Sequence, residues 1–197
     1  MLEMAAAEGD LDLFYLDESG FCQWSCPGYS YYYTGQQKRQ EQTQSRGNRL
    51  SILGIWQPLF TFVYSLVIGS FKSHDYVAML NAQAEEAAVE YRRTGKIRVI
   101  VQDNGSTHTS KLAQQHWTRW EEQGLYLFFL PPYCSEMNRI EIEWLHTKRD
   151  QLCGKMFDSE PELAYNVICG LEERGCKNGH SVQYVDILAL QASTCTC

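Results

Sequence analysis

KIRVIVQDNG, residues 96–105, is the stretch from which the architecture of the chain can be read. Ile97, Val99, Ile100 and Val101 form a β-branched run, and Asp103-Asn104-Gly105 closes it with turn chemistry. Segments of helical composition flank it. Upstream, SHDYVAMLNAQAEEAAVEYRRTG (73–95) is rich in Ala and Glu, offers Ser73 as an N-cap and stops at Gly95. Downstream, SKLAQQHWTRWEEQG (110–124) offers Ser110 as a cap and Gly124 as a stop. A strand set between two helices predicts an α/β sheet with parallel members.

Outward from this unit, LYLFFLPP (125–132) reads as the next strand, ended by two prolines. SEMNRIEIEWLHTKRDQL (135–152) and SEPELAYNVICGLEERG (159–175) read as helices, the second with Ser159 and Glu162 as a capping box. Towards the N-terminus, LDLFYLDESGF (11–21), RLSILGIW (49–56) and LFTFVYSLVIGSF (59–71) read as strands, the last two joined by a hairpin at Gln57-Pro58. The Gln- and Arg-rich segment between the first two strands reads as an exposed loop. The expectation is one α/β domain over residues 11–175, with a mixed five-stranded sheet flanked by helices. A lead of residues 1–10 and a weakly patterned, Cys-containing tail of residues 176–197 complete the chain.

Composition narrows the function. Hydrophobic residues make up 44% of the 197, which suits a packed core rather than disorder. No apolar run is long enough to span a bilayer, and the acidic start MLEMAAAEGD lacks the basic region of a signal peptide, so no membrane partner and a cytoplasmic location are expected. The eight cysteines include no CxxC pair; idle thiols are the preferred reading, with a zinc site from Cys176, His180, Cys195 and Cys197 as the alternative. A net charge of −7 disfavours coating nucleic acid by bulk attraction but leaves room for a local basic groove. Lys38, Arg39, Arg46 and Arg49 form one basic stretch, and Arg92, Arg93, Lys96 and Arg98 another. Each reads equally as a solvated turn or as phosphate contacts.

Three carboxylates stand out once placed on this scaffold. Asp17 lies near the end of the first strand, Asp103 at the end of the fourth, and Glu141 in the early turns of the helix after the fifth. Open sheets with parallel strands bind ligands at the carboxyl ends of those strands. If strands one and four are neighbours, Asp17 and Asp103 face each other there. Each residue alone has a plainer role, Asp17 and Asp103 in turns and Glu141 at a helix dipole. Together they call for a counter-charge, because like charges about 4 Å apart repel by about 4 kcal/mol at an effective dielectric near 20. Oxygen-only ligands suit Mg²⁺ or Mn²⁺, and two such ions can drive an in-line phosphoryl displacement without a covalent nucleophile.

YLDESGF, VQDNGSTHTS and LPPYCSEMNRIEIEW resemble the three catalytic blocks of bacterial insertion-sequence transposases related to the mariner superfamily, DDE enzymes with an RNase H-like fold. The resemblance runs from about residue 11 to about residue 175 and includes the intervening GNRLSILGIW. It implies metal-dependent DNA strand cleavage and strand transfer, with Asp17, Asp103 and Glu141 as the catalytic, metal-holding triad. It also implies two Mg²⁺ or Mn²⁺ ions, DNA (transposon ends and target) as partner, and a homodimer. Asn104 and His108 match an Asn and a His that recur after the second Asp. Asn138, Arg139, Arg49 and Lys148 join them as candidate active-site or DNA contacts. Glu143 should face away from Glu141 on the helix, and Glu18 away from Asp17 on the strand.

The chain departs from the family pattern at two places. The last block usually carries prolines where Cys134-Ser135 and Asn138-Arg139 stand, which loosens the loop and puts a cation near the expected metal site. The helix-turn-helix that reads transposon ends in the family is not expected here, because only residues 1–16 precede Asp17; a separate DNA-reading polypeptide is one source of it. Two other readings stand beside the transposase domain. One is an RNase H-like nuclease without strand transfer. The other is a catalytically inactive remnant acting as a regulatory or dimerising partner.

Overall fold

Alternate residues of Leu11–Phe21 (β1) enter two different cores: Leu11, Leu13 and Tyr15 join one apolar cluster, Phe14 and Leu16 the other. A strand with both faces apolar belongs in the middle of a sheet that is covered on both sides. The computed structural model, which describes residues 1–24, 33–34 and 47–194, places it there. Besides β1 the strands are Leu50–Gln57 (β2), Thr61–Ile68 (β3), Ile97–Gln102 (β4), Leu125–Phe129 (β5) and Ser181–Tyr184 (β6). The sheet order is β5-β4-β1-β2-β3-β6. β1, β2 and β3 form an antiparallel meander, β4 runs parallel to β1, and β5 runs parallel to β4.

Helices fill both faces. Leu2–Glu8 (α1), Ile140–His146 (α5) and Glu160–Asn178 (α6) pack on the side of Leu13 and Tyr15. Ser73–Thr94 (α2), Lys111–Gln114 (α3), Trp117–Glu122 (α4) and Ile187–Thr194 (α7) pack on the side of Phe14 and Leu16. Among the described residues no helix is long and apolar enough to cross a membrane.

Several expectations need correction. The sheet has six strands rather than five. β6 comes from the weakly patterned tail and pairs parallel to β3, Thr61 with Ser181 through Tyr64 with Tyr184; four residues on a sheet edge leave almost no periodic signal. The lead holds a helix, α1. Ser73 is the first helical residue and not the cap, which is the extended Lys72, whose N–H donates to the Asp75 carboxylate (2.7 Å).

The single helix expected over 110–124 is two short ones. The chain tightens at His116, whose N–H reaches Ala113 O, and this seats the fully buried Trp120 against Asn81 Oδ1 (2.9 Å). The helix expected over 135–152 begins as a 3₁₀ turn, becomes α5, and widens into a π-type coil over Thr147–Leu152. There the Thr147 hydroxyl donates to Glu143 O (2.9 Å), back-bonding of a kind that bends helices. Lys38, Arg39, Arg46, Cys26, Cys195 and Cys197 lie outside the described residues.

Candidate active site

The parallel ladder between β1 and β4 ends at the pair Tyr15 and Val101. Asp17 and Asp103 each stand two residues beyond that last rung. With a side-chain period of two they emerge on the same side, where the strands part. β1 continues against β2, which puts Gly54 opposite Asp17. β4 stops at the buried Gln102, whose Oε1 accepts from the Tyr76 hydroxyl (2.9 Å). The two carboxylates therefore share the mouth of a split between neighbouring strands, the crevice in which open sheets bind ligands.

Asp17 is a strained anion. Burial, then the charges of Asp103 and Glu141, push its pKa up to about 6, against hydrogen bonds from the Glu18 backbone and the Trp144 side chain. The indole Nε1 of Trp144 donates to Asp17 Oδ2 at 3.0 Å. Asp103 goes the other way: the hydrogen bond from His108 holds it below the usual carboxylate range, helped by the Gly105 N–H. Glu141 enters from the first turn of α5, exposed and within electrostatic reach of Asp17. Glu143 is turned away. It is buried and paired with Arg174 on α6, Nη2 to Oε2 at 2.7 Å. Glu18 is on the other face of β1, its pKa raised first by burial, with His108 and Arg49 opposing.

The donor set is three mutually repelling carboxylates with oxygen atoms only, the chemistry that a hard divalent cation neutralises. Asp103 Oδ1 is taken by His108 and Gly105, which leaves Oδ2 without a hydrogen bond among the described residues. Among the described residues no three or more His, Cys, Asp or Glu side chains already converge at metal-holding distance. The residues fit Mg²⁺ or Mn²⁺.

The other sequence-derived candidates scatter around this centre. Asn104 Nδ2 donates to Leu130 O (2.5 Å), tying the turn after β4 to the chain leaving β5. Asn138 is buried and donates from Nδ2 to Leu16 O (2.9 Å), which fastens the entrance of α5 to β1 beside Asp17. Arg139, the cation expected near the site, is held in an ion pair. Its guanidinium grips Glu3 of α1, Nε to Oε1 at 2.7 Å and Nη2 to Oε2 at 2.8 Å. Arg49 is exposed and lies against Gly20. Lys148 Nζ sits 5.7 Å from the centre of the Phe21 ring. Cys176 is exposed and His180 is buried, with its pKa lowered first by that burial.

Trp144 and Gly54 make the contact beside Asp17 that sequence reasoning missed. A Cβ at Gly54 would lie 2.6 Å from Trp144 Cη2, so the glycine is the seat that lets the indole reach Asp17. Two signals were present. Trp144 stands three residues after Glu141, on the adjoining part of the helix surface, and a glycine inside a strand marks a close approach.

A family model described as DDE superfamily endonuclease matches residues 12–164. Among solved structures, a pre-cleavage Mos1 transpososome superposes with a TM-score of 0.63 at 15% identity, covering 90% of this chain and 58% of that one. The Mos1 paired-end complex with the left transposon end gives 0.59 at 14%, covering 87% and 55%. The catalytic domain of Mos1 mariner transposase gives 0.56 at 11%, covering 87% and 81%. The chain thus spans little more than half of the transposase chains in the two complexes. It shares their RNase H-like fold. No curated protein matches it in sequence.

Proposed function

We propose, because the chain belongs to the DDE superfamily of endonucleases, that it is a transposase catalytic domain for metal-dependent DNA strand cleavage and strand transfer. One observation carries the reading. Asp17 and Asp103 leave neighbouring parallel strands at equal distance from the last rung, and the charge of Glu141 reaches Asp17 from α5. The Mos1 catalytic domain is solved with Mn and with Mg, and the all-oxygen donor set here suits the same ions. Two bound ions would supply the positive charge that activates a water or a 3′-hydroxyl and stabilises the leaving oxygen of a phosphodiester.

The residues of the chain do the rest. Asp17, Asp103 and Glu141 would hold the ions at the strand split. The buried Trp144 donates its indole N–H to Asp17. Asn138 pins the entrance of α5 to β1, and Asn104 pins the turn after β4 that carries Asp103, so that a DNA strand meets a preformed mouth. The partners are DNA, a second copy of the chain and a separate polypeptide or segment that reads transposon ends, and the setting is the cytoplasm.

The test is Mn²⁺-dependent nicking of supercoiled plasmid by the chain beside its Glu141→Gln variant. Nicking by the parent alone supports the triad. Equal nicking by both removes Glu141 from it. Absence of nicking together with absence of Mn²⁺ binding turns the reading to an inactive, regulatory relative.

A further inference from the structure

His108 is buried, 3% exposed, and its two ring nitrogens meet different surroundings. Nδ1 lies 2.8 Å from Asp103 Oδ1. Nε2 lies 3.9 Å from Glu18 Oε1, beyond hydrogen-bond reach, and has no hydrogen-bond partner among the described residues. The plane of the ring is set by Tyr76, whose ring centroid is 4.8 Å away at 30°. Tyr76 is in turn tied through its hydroxyl to Gln102, the residue before Asp103. The His108 N–H closes the turn by donating to Gly105 O (3.0 Å). The imidazole therefore cannot rotate without losing its stack on Tyr76.

Asp103 needs such a partner. Its side chain is 55% exposed, and the terminal torsion of an aspartate is broad and nearly two-fold, so a lone carboxylate here would exchange its oxygens freely. Resting on the functional reading above, we propose that His108 is the positioning residue for Asp103. Its Nδ1–H and the Gly105 N–H hold Oδ1, so that Oδ2 stays the free ligand atom before any cation arrives. Nδ1 carries the proton because it is the ring nitrogen with an acceptor at hydrogen-bond distance. Partners of this kind behind a ligand typically change metal affinity by about 10- to 100-fold when removed.

Two near-isosteric variants separate positioning from packing. Asn places its amide nitrogen near Nδ1, and Gln places it near Nε2. Mn²⁺ affinity is read by electron paramagnetic resonance and calorimetry on the whole chain, and thermal melts of the metal-free proteins are run beside them. His108→Asn is expected to bind within about threefold of the parent, and His108→Gln about 10- to 100-fold more weakly. Parental affinity in the Gln variant, or equal loss in both, overturns the role of His108 while leaving the triad intact. A parent that binds no Mn²⁺ overturns the functional reading, and this inference with it. A ¹⁵N–¹H spectrum of the parent gives an answer independent of variant folding: a proton on Nδ1 supports the role, and one on Nε2 alone overturns it.

Discussion

Trp144 donates its indole N–H to Asp17 Oδ2 at 3.0 Å while its ring stands edge-on to Phe62, 90° between planes and 5.5 Å between centroids. One side chain thus links the apolar core to the most strained carboxylate of the site. Trp144→Phe keeps the packing and deletes the donor. The loss of a hydrogen bond to a charged group costs about 1.5–3 kcal/mol of carboxylate stabilisation, so Mn²⁺ binding should weaken by about tenfold or more. Calorimetric titration reads it, and unchanged affinity would show that the indole only packs.

Gly54→Ala tests the seat of that ring. The new methyl would meet Trp144 Cη2 at 2.6 Å and Phe62 Cζ at 3.0 Å, both rigid aromatic edges in a packed layer. Overpacking of this kind typically costs about 1–3 kcal/mol. A urea titration should show that loss, together with a weaker Trp144–Asp17 contact seen as a change in tryptophan fluorescence. A neutral substitution would mean that the indole has room to retreat.

Asp17 makes the metal-free fold sensitive to pH. Its folded pKa of about 6 stands above the ordinary 3.8, so the folded chain holds this proton more tightly than the unfolded one. The stability it contributes is full below about pH 3.8 and is lost as pH rises through about 6. At one pKa unit per 1.36 kcal/mol the loss is about 3 kcal/mol at most. Asp17→Asn should remove this slope, and in EDTA at pH 7.5 it should be more stable than the parent. Urea midpoints at pH 4.5 and 7.5 give the comparison; parallel pH slopes for the two proteins would contradict it.

Arg174 and Glu143 form a buried pair, their side chains 13% and 8% exposed. Arg174→Met should cost about 3–5 kcal/mol, because it leaves Glu143 charged and unpaired beside the core. Adding Glu143→Leu should recover most of that loss. A double-mutant cycle from denaturant unfolding measures the coupling, and additive losses would deny it. Since the pair bridges α5 and α6, Arg174→Met should also loosen the helix that carries Glu141.

Arg139 and Glu3 make the opposite case, with side chains 49% and 54% exposed. Breaking this pair with Glu3→Gln should change stability by about 1 kcal/mol or less while freeing a cation at the entrance of α5. If DNA passes there, the plot of log affinity against log salt should steepen by about 0.9, one phosphate contact. Filter binding over a salt series measures the slope, and an unchanged one places DNA elsewhere.

Strand existence was legible in the sequence because its signal is local. β1 was read as Leu11–Phe21 and found there, since its closely spaced leucines and aromatic residues report on themselves. The stops at Gly95 and Gly124 were legible for the same reason: φ of +77° and +83° is a conformation glycine adopts at no steric cost. The candidate carboxylates Asp17, Asp103 and Glu141 could be picked out because each lies near the end of an element expected from the sequence. Four residues of β6 and seven of α1 gave no such signal, because a short edge element is stable only against the sheet it joins.

Tertiary structure decided what the carboxylates touch. Whether Asp17 is strained depends on β1 lying beside β4, on α5 turning Glu141 towards it, and on Gly54 leaving room for Trp144. Whether Arg139 is a free cation depends on Glu3, far away in sequence and adjacent in space. The sequence determined the residue types, their order and the fold that orders them. Distances, and with them burial and charge balance, arise only when segments remote in the chain pack together, because solvent exclusion and Coulomb attraction act through space and not along the backbone.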